Sequence, residues 1–301
     1  MPRFRIWLTL VLLGLGLGIA QADAPPPVTI GFYMPVIRDV PRKDVEVSLR
    51  FWIEELANSI NLTYKPVRFY DDLAELKQDM KAGTINFLVA SSMGVVQHFS
   101  NEELADGFSG AKLSPDHLLF IVRRAAAIQR PSDLANKRFA LLDRDELSEA
   151  YFETLLMKGK LDPGRLAAIK KEKRSSALVH QLFFNQGDAA LINRNAYEAA
   201  LALNPQIGER VQVLDEFSFK GQSPTVGLFS SRVAPEHREI ITQAAMKIDK
   251  TARGRQVMEI YQTDSMVVSK VSDLGPYREL MVTHRTLKAE VAAAAAKKGN
   301  R

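Results

Sequence analysis

Short apolar or β-branched runs alternate with segments of helical period along most of this 301-residue chain, and the alternation occurs in two successive sets. A chain patterned this way folds as α/β layers; neither a helical bundle nor a β-sandwich accommodates it. The first set reads as strand 28–34, helix 44–60, strand 63–70, a helix carrying Leu73, Leu76 and Met80, strand 85–90, and a short helix reaching Phe99. Leu49, Trp52, Ile53, Leu56 and Ile60 recur at three- and four-residue steps, which makes one buried stripe. Asp71-Asp72 supplies an N-cap, Gly83 the left-handed stop, and Ser91-Ser92 cap the short helix. Residues 118–122 are continuously apolar, as in a strand covered on both faces.

The second set begins there, with a short helix at 131–134, strand 138–142 and helix 145–158 ending at Gly159. Segments 167–171, 177–185, 189–193 and 195–203 continue the alternation, and 211–214 and 225–229 read as the last strands. Beyond Pro235 the pattern is helical and finishes in an alanine-rich stretch at 287–296. Two extended stretches, near 114–123 and 222–229, separate the sets. The chain therefore passes twice between two lobes, with a cleft between them.

The N-terminus is read apart from the fold. Arg3 and Arg5 precede an apolar run at 6–19 and then Ala20-Gln21-Ala22, the composition of a cleavable secretory signal at residues 1–22. The run is broken by Gly14, Gly16 and Gly18 and is shorter than the roughly 20 apolar residues that cross a bilayer. Cleavage after Ala22 and a periplasmic location are expected. The formal charge is +5, to which Arg3 and Arg5 contribute two, and the remaining bases are scattered apart from Lys170-Lys171-Glu172-Lys173-Arg174. No aromatic platform is interleaved with that cluster, so no nucleic-acid partner is expected.

Catalytic chemistry finds little footing. Cysteine is absent, which removes disulfides, thiolate nucleophiles and a lipid-modified cysteine after the signal. His98, His117, His180, His237 and His284 show no metal-ligand spacing, and there is no nucleophile elbow or phosphate loop. Glu54-Glu55, Asp71-Asp72 and Glu102-Glu103 are adjacent pairs, which on a helix point about 100° apart and cannot share a substrate. A binding protein without cofactor is expected, not an enzyme.

Several segments, in order, resemble one family. Val28-Thr29-Ile30-Gly31-Phe32-Tyr33-Met34-Pro35 is similar to its opening strand, and Tyr70-Asp71-Asp72-Leu73 with Lys81-Ala82-Gly83-Thr84-Ile85-Asn86-Phe87 to the segment before its first ligand loop. Ser132-Asp133-Leu134-Ala135-Asn136-Lys137-Arg138-Phe139-Ala140 resembles the entry to its second lobe, Leu161-Asp162-Pro163 the turn after that lobe's first helix, and Asn185-Gln186-Gly187-Asp188-Ala189-Ala190 its Gly-x-x-Asp-Ala-Ala segment. Gly254-Arg255 and residues 273–277 resemble its closing helices. On these segments the chain resembles the periplasmic solute-binding proteins of phosphate, phosphite and phosphonate ABC transporters. The resemblance implies a type II periplasmic binding-protein fold: two α/β lobes joined by a two-strand hinge, with 23–118 and 225–301 in one lobe and 119–224 in the other.

The pocket departs from the family. Where phosphonate binders carry a Ser/Thr-rich turn at a helix start, this chain has Asp143-Arg144-Asp145-Glu146-Leu147-Ser148-Glu149; Glu146 would oppose a phosphonate, and Leu147 offers no hydroxyl. The family's histidine falls at Ser175, beside Ser176, and its second-lobe acid near Asn193. The expected ligand residues are Tyr33, Tyr70, Ser91 and Ser92 from the first lobe and Ser148, Ser175, Ser176 and Asn193 from the second. Arg38 also falls just beyond a strand end. The expected function is capture of a small polar solute, zwitterionic, cationic or neutral if Glu146 faces the cleft, by a monomer that serves an inner-membrane ABC permease. The alternative is a ligand-sensing or docking subunit for a membrane signalling protein.

Overall fold

The central strands are buried on both faces, which explains why their sequences run apolar without alternation. The structure is a computed structural model that describes residues 27–37, 40–59, 63–111, 117–218, 223–260 and 263–299; the expected leader at 1–22 and Arg38 lie outside them. The chain begins with β1 (Ile30–Tyr33), α1 (Arg42–Ser59), β2 (Arg68–Tyr70), α2 (Leu73–Lys81), β3 (Phe87–Ser91), α3 (Ser92–His98), β4 (Leu104–Ala105) and β5 (Gly107–Ala111). It continues through β6 (His117–Arg123), β7 (Arg138–Leu142), α4 (Glu146–Lys158), β8 (Ala168–Glu172), α5 (Ser175–Phe183) and β9 (Ala189–Asn193). Next come α6 (Arg194–Leu203), α7 (Gln206–Arg210) and β10 (Val211–Ser218). It closes with β11 (Thr225–Ser230), α8 (Pro235–Ala245), α9 (Ala252–Ile260), β12 (Ser265–Ser269) and α10 (Gly275–Gly299).

Two five-stranded sheets result, ordered β2-β1-β3-β11-β4 and β8-β7-β9-β6-β10. Both repeat one plan. In the first, β1 runs parallel to β2 and β3, and β11 lies antiparallel beside β3. In the second, β7 runs parallel to β8 and β9, and β6 lies antiparallel beside β9. The antiparallel strand of each sheet is the one that carries the chain across: β6 enters the second sheet after β5 of a small separate sheet, and β11 returns to the first sheet directly after β10 of the second. This is a mixed α/β architecture with two lobes, as the double alternation requires.

Local chemistry sets the element ends. Asp72 caps α2 by accepting from the Ala74 N–H, and Gly83 stops the segment at φ 74°, a conformation that a Cβ disfavours. Pro35 ends β1 by opening a short 3-10 turn. In the first lobe Phe87, Phe108, Phe229 and Trp52 form an aromatic centre, with Phe87 stacked on Phe108 at 4.7 Å between ring centroids. In the second, Asp188 ties three strands together. It accepts from Arg123 at 2.5 Å, from the Arg138 guanidinium at 3.0 and 3.1 Å, and from the Arg138 backbone N–H at 2.9 Å. Burial alone would raise the Asp188 pKa, but these bonds override it and hold the carboxyl well below its usual range.

Two expectations are corrected. Residues 225–229 are not the last strand: β12 pairs antiparallel with β5, from Ser265 opposite Ala111 to Ser269 opposite Gly107. That small sheet escapes a periodicity reading because β5 contains two glycines and β12 is five residues long, only partly buried, and set among helices. Also, the C-terminal helix begins at Gly275, well before the alanine-rich part. It lies against both lobes. Tyr277 and Leu280 join an apolar cluster that runs unbroken from Leu88 and Met93 to Leu147, Tyr151 and Phe139. His284 of α10 meets Glu153 of α4 at 2.6 Å.

Candidate functional site at the junction of the lobes

In open α/β sheets, ligands gather beyond the carboxyl ends of parallel strands, where strand order reverses. Here Tyr33 ends β1 and Ser91 ends β3, neighbours in the first sheet. On the facing side, β7 ends at Leu142, the chain turns through Arg144 at φ 52°, and α4 starts at Glu146. The turn is held by the Ser148 hydroxyl, which donates to Asp145 Oδ2 at 2.5 Å. It aims Glu146 at the other lobe.

The half-buried Glu146 carboxylate receives both first-lobe hydroxyls. Tyr33 donates to Oε1 at 2.5 Å, and Ser91 donates to Oε2 at 3.0 Å. Ser91 is also the N-cap of α3, accepting from the Gly94 N–H at 3.1 Å, so its single oxygen closes a helix end and binds across the junction. Glycine at 94 makes room for this: a Cβ there would lie 2.6 Å from Ser91 Oγ, collide with a Leu73 methyl, and stand 3.7 Å from the Glu146 carboxyl carbon. Leu147 follows, 7% exposed, packed in the cluster shared by the two lobes.

The other expected residues divide. Ser92 is fully buried, and its hydroxyl donates to the Ser223 carbonyl at 2.7 Å, beside the Tyr277 hydroxyl, which donates to the same oxygen at 2.9 Å. Ser148 is likewise buried and braces Asp145. Tyr70 does not join Tyr33: its hydroxyl donates to Asp79 at 2.6 Å, and Arg68 pairs with the same carboxylate at 2.7 Å. Burial first, and then Asp79, push the Tyr70 phenol up, while Tyr70 and Arg68 hold Asp79 below the usual carboxylate range. Ser175 is buried at the start of α5 and Ser176 beside it is exposed. Asn193 stands at the N-cap of α6 without a side-chain capping bond, the counterpart at the end of β9 of Ser91 at the end of β3.

Sequence reasoning overlooked the Asp188 hub and the Arg68–Asp79–Tyr70 group, because each carboxylate finds its partners on other elements; the only signals were Asp188 and Tyr70, each in a segment quoted for its resemblance. Among the described residues no group of His, Asp and Glu could hold a metal ion, and no helix is long and apolar enough to cross a membrane. A groove of about 560 Å³ lined by Glu55, Gln243, Lys247 and Thr251 opens on the first lobe, and none of Tyr33, Ser91 or Glu146 borders it.

Residues 40–274 match the family model described as "ABC transporter, phosphonate, periplasmic substrate-binding protein". No curated protein matches the chain. Among solved structures, PhnD1 of Prochlorococcus marinus in complex with methylphosphonate is 12% identical with a TM-score of 0.62, covering 87% of this chain and 98% of its own. A binding-protein component of a phosphonate ABC transporter from Pseudomonas aeruginosa is 15% identical with a TM-score of 0.60, covering 88% of each chain. A Xanthomonas citri protein bound to ATP is 10% identical with a TM-score of 0.64, covering 87% of this chain and 98% of its own. At these identities the likeness is one of fold: the type II periplasmic binding-protein architecture.

Proposed function

The chain belongs to the family of periplasmic substrate-binding proteins of phosphonate ABC transporters, and we propose that it holds a small polar solute between its lobes and delivers it to an inner-membrane permease. The observation that supports this most is the meeting of parallel-strand ends from both sheets, with Tyr33 and Ser91 on one side and Glu146 on the other. A solute that touches both sides binds the closed arrangement better than the open one, and that difference shifts the population toward closure. Binding and closure are the whole mechanism; no bond is made or broken.

In this reading Tyr33 and Ser91 contribute hydroxyls from the first lobe. Asn193, Ser175 and Ser176 contribute from helix starts in the second. Ser92 and Ser148 shape the walls through Ser223 and Asp145, while Tyr70 braces the first lobe through Asp79 and stands back from the solute. Family members are periplasmic, and residues 1–22 serve as the leader removed after Ala22. The family's receiver is a permease, which does not favour the sensor alternative.

The test is thermal melting and titration calorimetry of the exported chain against phosphate, alkylphosphonates, sulfonates, amino acids and amines. A true solute at a hundred times its Kd stabilises the native state by about 2.7 kcal/mol. A cooperatively folded chain that responds to none of these classes overturns the reading.

A further inference from the structure

We propose that Glu146 is a built-in anion that latches the two lobes together and makes this chain reject free phosphonate and phosphate. The inference rests on the proposed solute cleft, but its first readout needs no solute. Tyr33 and Ser91 are hydroxyl donors at adjacent strand ends, the natural partners of an oxyanion held at that end of the sheet, and both are directed at the carboxylate oxygens of one side chain. Glu146 comes from the opposite lobe, so these two bonds span the junction that must part for a solute to enter.

Three features strengthen the latch. The carboxylate is tethered, so its effective concentration at the two hydroxyls is millimolar or higher, and a free anion must compete against that. Its charge repels a second anion at the same donors. The surroundings also fit the latched state closely: Gly94 leaves room for the Ser91–Glu146 bond, and Leu147, next in sequence, is buried in the apolar cluster shared by the lobes. A solute that enters therefore offers Glu146 a hydrogen-bond donor or a positive charge and shares the carboxylate with Tyr33 and Ser91. This is a specificity role, carried by one side chain at the first helical position of α4.

The experiment compares wild type, Glu146→Ala, Glu146→Gln and the control Glu149→Gln, which removes a neighbouring carboxylate that pairs with Lys171 outside the latch. Circular dichroism and cooperative melting establish that each variant is folded. Small-angle scattering without any solute is expected to show wild type and Glu149→Gln equally closed and Glu146→Ala more open. Calorimetry with methylphosphonate is expected to show no binding by wild type at millimolar concentration and at least tenfold tighter binding by Glu146→Ala, with Glu146→Gln between them. Wild type that binds methylphosphonate as tightly as Glu146→Ala, or scattering unchanged by Glu146→Ala, overturns the proposal. Failure of the solute-binding reading is a separate result, a folded wild type that binds none of the solute classes, and it leaves the scattering comparison decisive for the latch.

Discussion

The Tyr33 hydroxyl, at the end of a first-lobe strand, donates across the junction to the Glu146 carboxylate of the second lobe at 2.5 Å. A hydrogen bond to a charged acceptor contributes about 1.5–3 kcal/mol when its partner is left without a substitute. Glu146 is half-buried and keeps the Ser91 bond, so Tyr33→Phe is expected to destabilise by about 1–2 kcal/mol. In a double-mutant cycle with Glu146→Gln, read from denaturant midpoints, the two residues should couple by roughly 1 kcal/mol. Additive effects would show that the bond contributes nothing in solution.

Tyr70→Phe should behave differently, although Tyr70 and Tyr33 are paired in register on adjacent strands. Its hydroxyl serves Asp79 within one lobe, so the variant loses about 1 kcal/mol of stability by melting. Solute affinity and lobe closure should match wild type. A change in either would place Tyr70 at the cleft after all.

Gly94→Ala inserts a methyl into space held by Leu73 and Ser91 Oγ. Such overpacking costs typically about 1–3 kcal/mol. The Ser91 hydroxyl must move, so the α3 cap and the bond to Glu146 weaken together. Melting should fall, and scattering should shift toward the open form. A variant as stable and as closed as wild type refutes that packing.

Asp188 sets an acid limit. Its carboxyl pKa is lower folded than unfolded, so it contributes stability above the unfolded value near 3.9, and that stability is lost as pH falls through the folded value. Asp188→Asn leaves Arg123 and Arg138 uncompensated and should cost about 3 kcal/mol at neutral pH, the low end for a buried pair because Arg138 is partly exposed. The difference from wild type should shrink below about pH 4. Urea titrations at pH 3.5, 5 and 7 measure it, and a constant difference contradicts the assignment.

How much of this was legible in the sequence depends on whether a feature is local. The strands at 138–142 and 189–193 were readable because four buried residues in a row leave a continuous apolar run. Ser91 was readable because a hydroxyl between a strand and a helical pattern has a local job as a cap. The charge of Glu146 was evident, and so was its conflict with a phosphonate. That Tyr33 and Ser91 would satisfy it was not, since those contacts are separated by 113 and 55 residues and exist only once two sheets face each other. Tyr70 misled for the same reason: a strand-end tyrosine reads alike whether its hydroxyl meets a cleft or an aspartate on the next helix.

The way the strands are shared between the sheets governs how the chain can fold. Every strand of the second sheet comes from one uninterrupted stretch, 117–218, whereas the first sheet needs β11 from beyond that stretch to join β3 with β4. A chain emerging from its N-terminus therefore presents β1, β2 and β3 long before their last partner exists, and only the later-synthesised lobe has all of its pairings within reach of local search. Until β11 is present, β3 keeps an unpaired edge, the kind of surface on which another chain can add a strand.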